Sequence, residues 1–325
     1  MKAVVTGGAG FIGRSLVRQL RERGDAVVAL VRDAGRAEGL RELGCEIVEV
    51  DLASAAADSL RAAMDGADGA FHLAGAYRVG IPATEHAAMF QANVGSTRAV
   101  LDAGIGAGVA RIVYVSTANV YGNTHGRVVD ETYRRPQPPE FLSYYDETKY
   151  LAHLAAEERI AAGAPIVIAL PCMVYGPGDH SQVGATIRQA MAGRLPVLFA
   201  AELGGNLVHV DDLAAGIILV GDKGQIGEEY VLGGEIATMR EVVHRAAAVA
   251  GKRSPLLSAP SWLVRAVAPL GGLIGRVAAG APNLREMVRA SDGVTYWATD
   301  AKARVELGYA PRDLESGLRT LLVAS

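Results

Sequence analysis

The stretch Thr6–Gly13, TGGAGFIG, sets Gly7, Gly10 and Gly13 between a short β-branched run and a helical pattern. Glycine permits a tight turn, lets a backbone approach another group closely, and allows a helix to pack directly on a strand. Position decides what such a turn means. AVVTG (3–7) precedes it and GRSLVRQLRERG (13–24) follows, so the glycines fall on the first strand-to-helix junction of the chain.

The first half then repeats that alternation. Strand patterns recur at AVVALV (26–31), EIVEV (46–50), GAFHLAG (69–75), RIVYVS (111–116) and PIVIALP (165–171), with helical patterns at 59–64, 85–106 and from Tyr144 onward. Alternation of this kind predicts βαβ units, hence an α/β fold: a Rossmann-type, doubly wound parallel sheet. The second half is richer in Gly and Pro and reads as a smaller, discontinuous lobe. Residues 1–171 are expected to form the nucleotide-binding domain, and 208–235 to return to it through a turn and helix at VHVDDLAAGIILV and a strand at EEYVLGG. Residues 172–207 and 236–325 would build most of a substrate lobe over the C-terminal edge of the sheet, where open α/β sheets bind ligands. A chain of 325 residues, half of them hydrophobic with mean hydropathy +0.20, sustains such a core.

In that context the glycine turn reads as a pyrophosphate site. The helix N-terminus, at Phe11 and Ile12, offers free N–H groups and a partial positive charge. The second strand ends Leu30-Val31-Arg32-Asp33. An NAD site offers a carboxylate there to the ribose 2′-OH, whereas an NADP site offers an arginine to the 2′-phosphate. Arg32 could grip that phosphate through a charge-assisted fork, which favours NADP; Asp33 keeps NAD open.

Further along stands SYYDETK (143–149). A helix turns about 100° per residue, so Tyr145 and Lys149, four apart, share a face that Tyr144 leaves.

Other classes are disfavoured. A net charge of −3 and a pI near 6.2 give no electrostatic case for nucleic acid. Cys45 and Cys172 lie far apart without metal spacing and suit a reducing, cytoplasmic setting. His153 with Glu157 or Glu158 lacks the H-E-x-x-H arrangement and reads as a solvated helix face, so no metal is expected. No G-x-S-x-G elbow supports a hydrolase. The start, MKAVVTGGAG, lacks the long apolar stretch of a signal peptide. The apolar segment 259–283 keeps only ten uncharged residues between Arg265 and Arg276. A bilayer core needs about 20, so no membrane span is expected.

With TGGAGFIG in front and YYDETK in the middle, the chain resembles the extended short-chain dehydrogenase/reductase family, whose members include NAD-dependent epimerases and dehydratases. Asp51-Leu52, His72-Leu73-Ala74-Gly75, NVGST (93–97), VSTANVYG (115–122), PCMVYGPGD (171–179) and VHVDD (208–212) carry the resemblance through most of the chain. The tail YWATDAKARVELGYAPR (296–312) is similar to that of dihydroflavonol-reductase-like members. The resemblance implies that Asp51 and Leu52 flank the adenine, that Leu73, Ala74 and Gly75 line the cofactor groove, that Asn93 lies near the active site, and that Pro171 begins the loop beside the nicotinamide. It selects Thr117 as the catalytic hydroxyl, with Ser116 a structural neighbour, and Tyr145 as the acid/base. Lys149 would bond the nicotinamide ribose and lower the tyrosine pKa from its usual value near 10. Tyr144, Met173 and His180 are the candidate substrate contacts, and His209 reads as structural. A homodimer through the 85–106 helix and the Tyr145 helix is also implied.

Two chemistries follow this pattern. Nucleotide-sugar epimerases often carry an asparagine where this chain has Met173 and an arginine where it has Gly205. Losing both would leave a diphosphate poorly served, unless Arg188 or Arg194 substitutes. Trp262, Leu263, Val264, Leu270, Leu273 and Ile274 make the C-terminal lobe apolar. The expected activity is therefore an NADP-dependent carbonyl reductase or alcohol dehydrogenase acting on a small, rather apolar ketone or aldehyde. An NAD-dependent sugar-nucleotide epimerase or dehydratase is the alternative. A non-catalytic dinucleotide sensor is disfavoured, because Tyr145 and Lys149 are both present.

Overall fold

A computed structural model describes residues 1–255, 257–258 and 283–323. In its first half the chain runs β1 (Lys2–Thr6), α1 (Phe11–Glu22), β2 (Ala26–Val31), α2 (Glu38–Glu42), β3 (Glu46–Glu49), α3 (Ala57–Ala63), β4 (Gly69–His72), α4 (His86–Phe90), α5 (Ser96–Gly106), β5 (Ile112–Val115) and α6 (Tyr144–Ala161). It continues through β6 (Ile166–Pro171), β7 (Met173–Tyr175), α7 (Gln182–Met191), β8 (Val197–Leu198), β9 (Gly204–His209), α8 (Val210–Lys223), β10 (Glu229–Leu232), β11 (Glu235–Thr238) and α9 (Met239–Val249). β12 (Leu257–Ser258), α10 (Leu284–Arg289), β13 (Thr295–Tyr296) and α11 (Leu314–Val323) complete the described elements.

Seven strands form one parallel sheet in the order β10-β6-β5-β4-β1-β2-β3. The inner strands are apolar runs because helices cover both faces, and alternate residues feed opposite cores, whereas the edge strand β3 carries exposed Glu46 and Glu49. Ala3 and Val5 of β1 join one core with Leu16 of α1 and Leu213 of α8; Val4 joins the other with Leu101 of α5 and Ala156 of α6. The order reverses beside β1, the switch point where α/β sheets open a crevice at their carboxyl ends.

The second sheet is built on β9, flanked by antiparallel β11 on one side and by parallel β7 and β13 on the other. Its core, with Tyr175, Ile187, Val242 and Leu318, is separate from the first two. β8 and β12 pair as a small ribbon. Residues 303–309 do not stay with this lobe: Ala303, Leu307 and Tyr309 pack into the core around α1 and α8. At VHVDD no turn precedes the helix. β9 runs to His209, which caps α8 directly by accepting the Asp211 N–H at Nδ1 (3.2 Å), while Nε2 meets the Thr320 hydroxyl at 3.1 Å.

The predicted 85–106 helix is interrupted by a π-helical turn at Gln91–Gly95, between α4 and α5. The apolar positions Trp262 to Ile274 lie outside the described residues. Among the described residues no helix is long and apolar enough to cross a membrane.

Candidate active site

The turn after β1 is built as its glycines require. Gly7 has φ +73°, and a Cβ there would come within 2.7 Å of the Ala74 nitrogen; a Cβ at Gly13 would collide with the Gly7 carbonyl. Gly10 is exposed, caps α1 with no side chain, and would meet only the Gly7 oxygen. No acidic residue occupies the first turn of α1, so its N–H groups at Phe11 and Ile12 face an open, electropositive mouth. These residues fit a pyrophosphate.

Behind the turn, a hydrogen-bonded chain fixes the groove floor. Thr6 Oγ1 meets His72 Nδ1 at 2.7 Å, His72 Nε2 meets Thr97 Oγ1 at 3.1 Å, and Thr6 Oγ1 also accepts the Ala74 N–H at 3.2 Å. Leu73, Ala74 and Gly75 therefore hang from the end of β1. His72 is fully buried, and burial, aided by the Lys149 charge, pushes its pKa down to about 3. A histidine held neutral when folded but titrating near 6.5 when unfolded adds stability above pH 6.5, and that stability is lost as pH falls toward 3. Stability is expected to fall by about 1.4 kcal/mol per pH unit below 6.5 from this group. Denaturant titrations at pH 7 and 5 should show a difference of roughly 2 kcal/mol that His72→Gln removes. An unchanged slope in the variant would refute the assignment.

Arg32 at the end of β2 is exposed and makes no hydrogen bond or ion pair among the described residues. Asp33 is already engaged: its Oδ1 accepts the Gly35 N–H at 2.9 Å and its Oδ2 lies 3.3 Å from Arg36. Asp51 turns its carboxylate onto Ala53 N–H and the Ser54 hydroxyl. Leu52 packs against the core beside it.

Asn93 is buried and committed to neighbours. It accepts the Ala76 N–H at 2.7 Å and donates to the Ala76 carbonyl and the Thr148 hydroxyl. It thereby braces the loop after β4 against α6, so its amide positions the groove instead of facing it. Pro171 ends β6 in register with Leu232, inside the sheet.

α6 starts where Ser143 accepts the Asp146 N–H at 3.1 Å. Tyr145 and Tyr144 then part. Tyr145 is buried among Ile81 and Met89, with Val79 and Ala76 alongside, and the Tyr77 ring meets it edge-on at 4.9 Å. The Thr117 hydroxyl, which donates to Asn119 Oδ1 (3.4 Å) and accepts the Asn119 N–H (3.3 Å), is the neighbour that favours ionisation of the Tyr145 phenol. Tyr144 stacks flat on His86, with ring centroids 3.7 Å apart.

Lys149, one turn on, is also buried, but its ammonium points to the Val115 carbonyl (3.4 Å) and the Tyr114 hydroxyl (3.5 Å). The expectation that Lys149 lowers the Tyr145 pKa needs correction for the protein alone. Burial holds the phenol well above its usual 10, with Tyr77 and Tyr114 adding to the rise and only Thr117 opposing it notably. The ammonium faces the strand end, so the phenol keeps its proton.

Met173 opens β7 and is half-buried against the lobe core; a Cβ on Gly205 would come within 2.8 Å of its Cε. His180 is exposed on the loop before α7, without a polar partner among the described residues. Arg188 is tied to the Asp179 carbonyl, and Arg194 lies exposed beyond α7.

The reading of His153 as part of a solvated face is overturned. It lies on the buried stripe with Tyr145 and Lys149, at successive i+4 steps, with Ser116 Oγ 3.1 Å from its Nδ1. That spacing was a usable signal. Two further residues had none. Glu286 of α10 accepts the Tyr144 and Gly80 N–H groups, pinning the start of α6 to the loop before α4. Arg135 forks the Asp146 carboxylate beneath Tyr145.

The chain also matches known proteins in sequence and in fold. The family model described as NAD dependent epimerase/dehydratase family matches residues 3–233. A putative dihydroflavonol 4-reductase of Synechocystis sp. is 32% identical over 82% of this chain and 80% of its own length. A 4-hydroxy-2-methyl-3-oxo-4-farnesyl-3,4-dihydroquinoline-1-oxide ketoreductase of Stigmatella aurantiaca is 31% identical over 96% and 92%. A double mutant of a dTDP-glucose 4,6-dehydratase of Streptomyces venezuelae, solved with NAD bound, superposes with a TM-score of 0.78 at 26% identity, covering 100% of this chain and 96% of that one.

Proposed function

The chain belongs to the NAD-dependent epimerase/dehydratase family, of extended short-chain dehydrogenase/reductase type, and within it we propose an NADP(H)-dependent carbonyl reductase acting on a small, apolar ketone or aldehyde. The observation that carries this reading is the apolar packing of Met173 on Gly205 in the lobe. Met173 packs over Gly205 at the two positions where a sugar diphosphate would want polar side chains, and of the two arginines that could replace them Arg188 is spent on a backbone carbonyl while Arg194 stays exposed. The surroundings of Tyr145 are likewise apolar. Two relatives with reductase names support net reduction. The dehydratase likeness supports the second reading, redox-neutral chemistry on a sugar nucleotide with NAD retained.

A bound nicotinamide dinucleotide would supply the hydride, held by the turn Gly7–Gly13, the loop Leu73–Gly75 and Lys149. Thr117 holds the substrate oxygen by donating its hydroxyl hydrogen. Tyr145 stores the proton that this oxygen requires once its carbon is reduced. A buried, neutral phenol suits the acid role, because at neutral pH the proton is present to be given. Tyr144, Met173 and His180 border the substrate side, and the apolar cluster around Tyr145 excludes water.

Arg32 is proposed to pair with the 2′-phosphate. Arg32→Ala is expected to weaken NADPH binding by roughly 10–100-fold, the loss of one charged hydrogen-bonding partner, with NADH little affected. Fluorescence titration with both nucleotides reads this directly, and equal or better NADH binding by the unmodified protein overturns the preference. Incubation with NADPH and a panel of ketones and aldehydes tests the reaction. Net oxidation of NADPH supports the reductase; tightly held NAD with turnover of a nucleotide sugar and no net redox change selects the second reading.

A further inference from the structure

A second cleft, of about 860 Å³, opens at the outer edge of the seven-stranded sheet, between the last turns of α6, the start of β10 and the loop after β5. None of the residues assigned above to cofactor or substrate lines it. His153 Nε2 lies 3.2 Å from Glu229 Oε1 and 3.9 Å from Glu157 Oε1, and the three donor atoms all fall within 4.8 Å of one another.

Two donors on a tetrahedral zinc-sized ion, each at about 2.0–2.2 Å, stand roughly 3.3 Å apart. The two separations from His153 bracket that value, and the third pair lies within 4.8 Å, so side-chain shifts bring the set onto one centre. Glu229 adds an independent sign. It is buried, lines the cleft, and its Oε2 has no hydrogen-bond partner. An orphaned buried carboxylate oxygen costs free energy that a bound cation offsets.

The other histidine nitrogen completes the pattern. A metal-bound histidine donates its remaining ring N–H to a fixed acceptor, which sets tautomer and ring orientation. Nδ1 of His153 has such an acceptor in Ser116 Oγ. Charge agrees: Asp130, Glu131 and Glu228 join the two ligand carboxylates around the cleft, against Arg134, which lies 3.9 Å from Glu157 Oε1, and Lys302, which is paired with Glu228 at 2.6 Å.

We propose that His153, Glu157 and Glu229 bind one divalent transition-metal ion, of the zinc or cobalt class, tying α6 to the edge strand β10 behind the catalytic strand end. The site takes the ion from the cleft, which leaves at least one coordination position open to water.

The full chain, stripped with EDTA and dialysed, is expected to take up one Co²⁺ or Zn²⁺ per chain by calorimetry, with a thermal midpoint that rises with ion concentration. Glu157→Gln, at a partly exposed position, is expected to weaken uptake on the order of tenfold or more, and Ser116→Ala, which removes the outer hydrogen bond, about 10–100-fold. Circular dichroism checks that each variant is folded. Absence of uptake, or uptake unaltered in Glu157→Gln, overturns the proposal. No turnover is measured, so the result is independent of the reductase reading.

Discussion

Tyr145→Phe is expected to lower turnover by about 10²–10⁴-fold, the usual worth of a positioned proton donor, and to leave NADPH affinity nearly unchanged. The ring sits among Ile81, Met89 and Tyr77, so removing only its oxygen opens no sizeable cavity and the fold holds. Tyr144→Phe should change turnover little, because that ring stacks flat on His86 and phenylalanine keeps the stack. Rates and nucleotide binding measured on both variants separate the two tyrosines; full activity in Tyr145→Phe with loss in Tyr144→Phe would sink the assignment. The pH profile adds a second check. Burial keeps the Tyr145 proton on through neutrality, so the reduction rate should stay level from neutral to mildly alkaline pH and decline only as the phenol begins to ionise.

The framework of this site was legible because its signals are local. Buried parallel strands read as apolar runs, and Gly7, Gly10 and Gly13 announce a turn that tolerates no Cβ at two of the three positions. Helical spacing separated Tyr145 from Tyr144. The same spacing pointed to His153, since 145, 149 and 153 are successive i+4 steps, yet its neighbours Glu157 and Glu158 suggested solvent. What buries His153 is Glu229, on a strand 76 residues away in sequence, and no local pattern encodes that pairing. The π turn at Gln91–Gly95 was hidden for a related reason. Its sequence suits an ordinary helix, and the bonds that Asn93 makes to Ala76 and Thr148 are tertiary. Gly122 in the VYG triplet was visible as a residue but not as a need. Its φ is +71°, and a Cβ there would lie 2.9 Å from the Arg135 guanidinium.

That guanidinium leads to the second large effect. Arg135 and Asp146 form a buried two-pronged pair at 2.5 and 3.2 Å, and Asp146 also accepts the Leu142 N–H. Arg135 donates to the Asn119 carbonyl in the turn that Thr117 caps, and lies over Phe141 and Tyr150. One ion pair thus joins the turn beside Thr117 to the first helical turn carrying Tyr145. Water cannot replace either partner, so Arg135→Met or Asp146→Asn alone is expected to cost about 3–5 kcal/mol, chiefly by stranding the opposite charge. Removing both charges together should cost less than the sum of the single losses, because no unpaired ion remains. Urea unfolding of the four proteins in the cycle reads the coupling directly, and turnover should fall in step with the single variants as Tyr145 loses its register with Thr117. Single losses under about 1 kcal/mol would show that the pair is solvated, and the alignment of phenol and hydroxyl would then have to rest on Ser143, Glu286 and the apolar packing around Tyr145 alone.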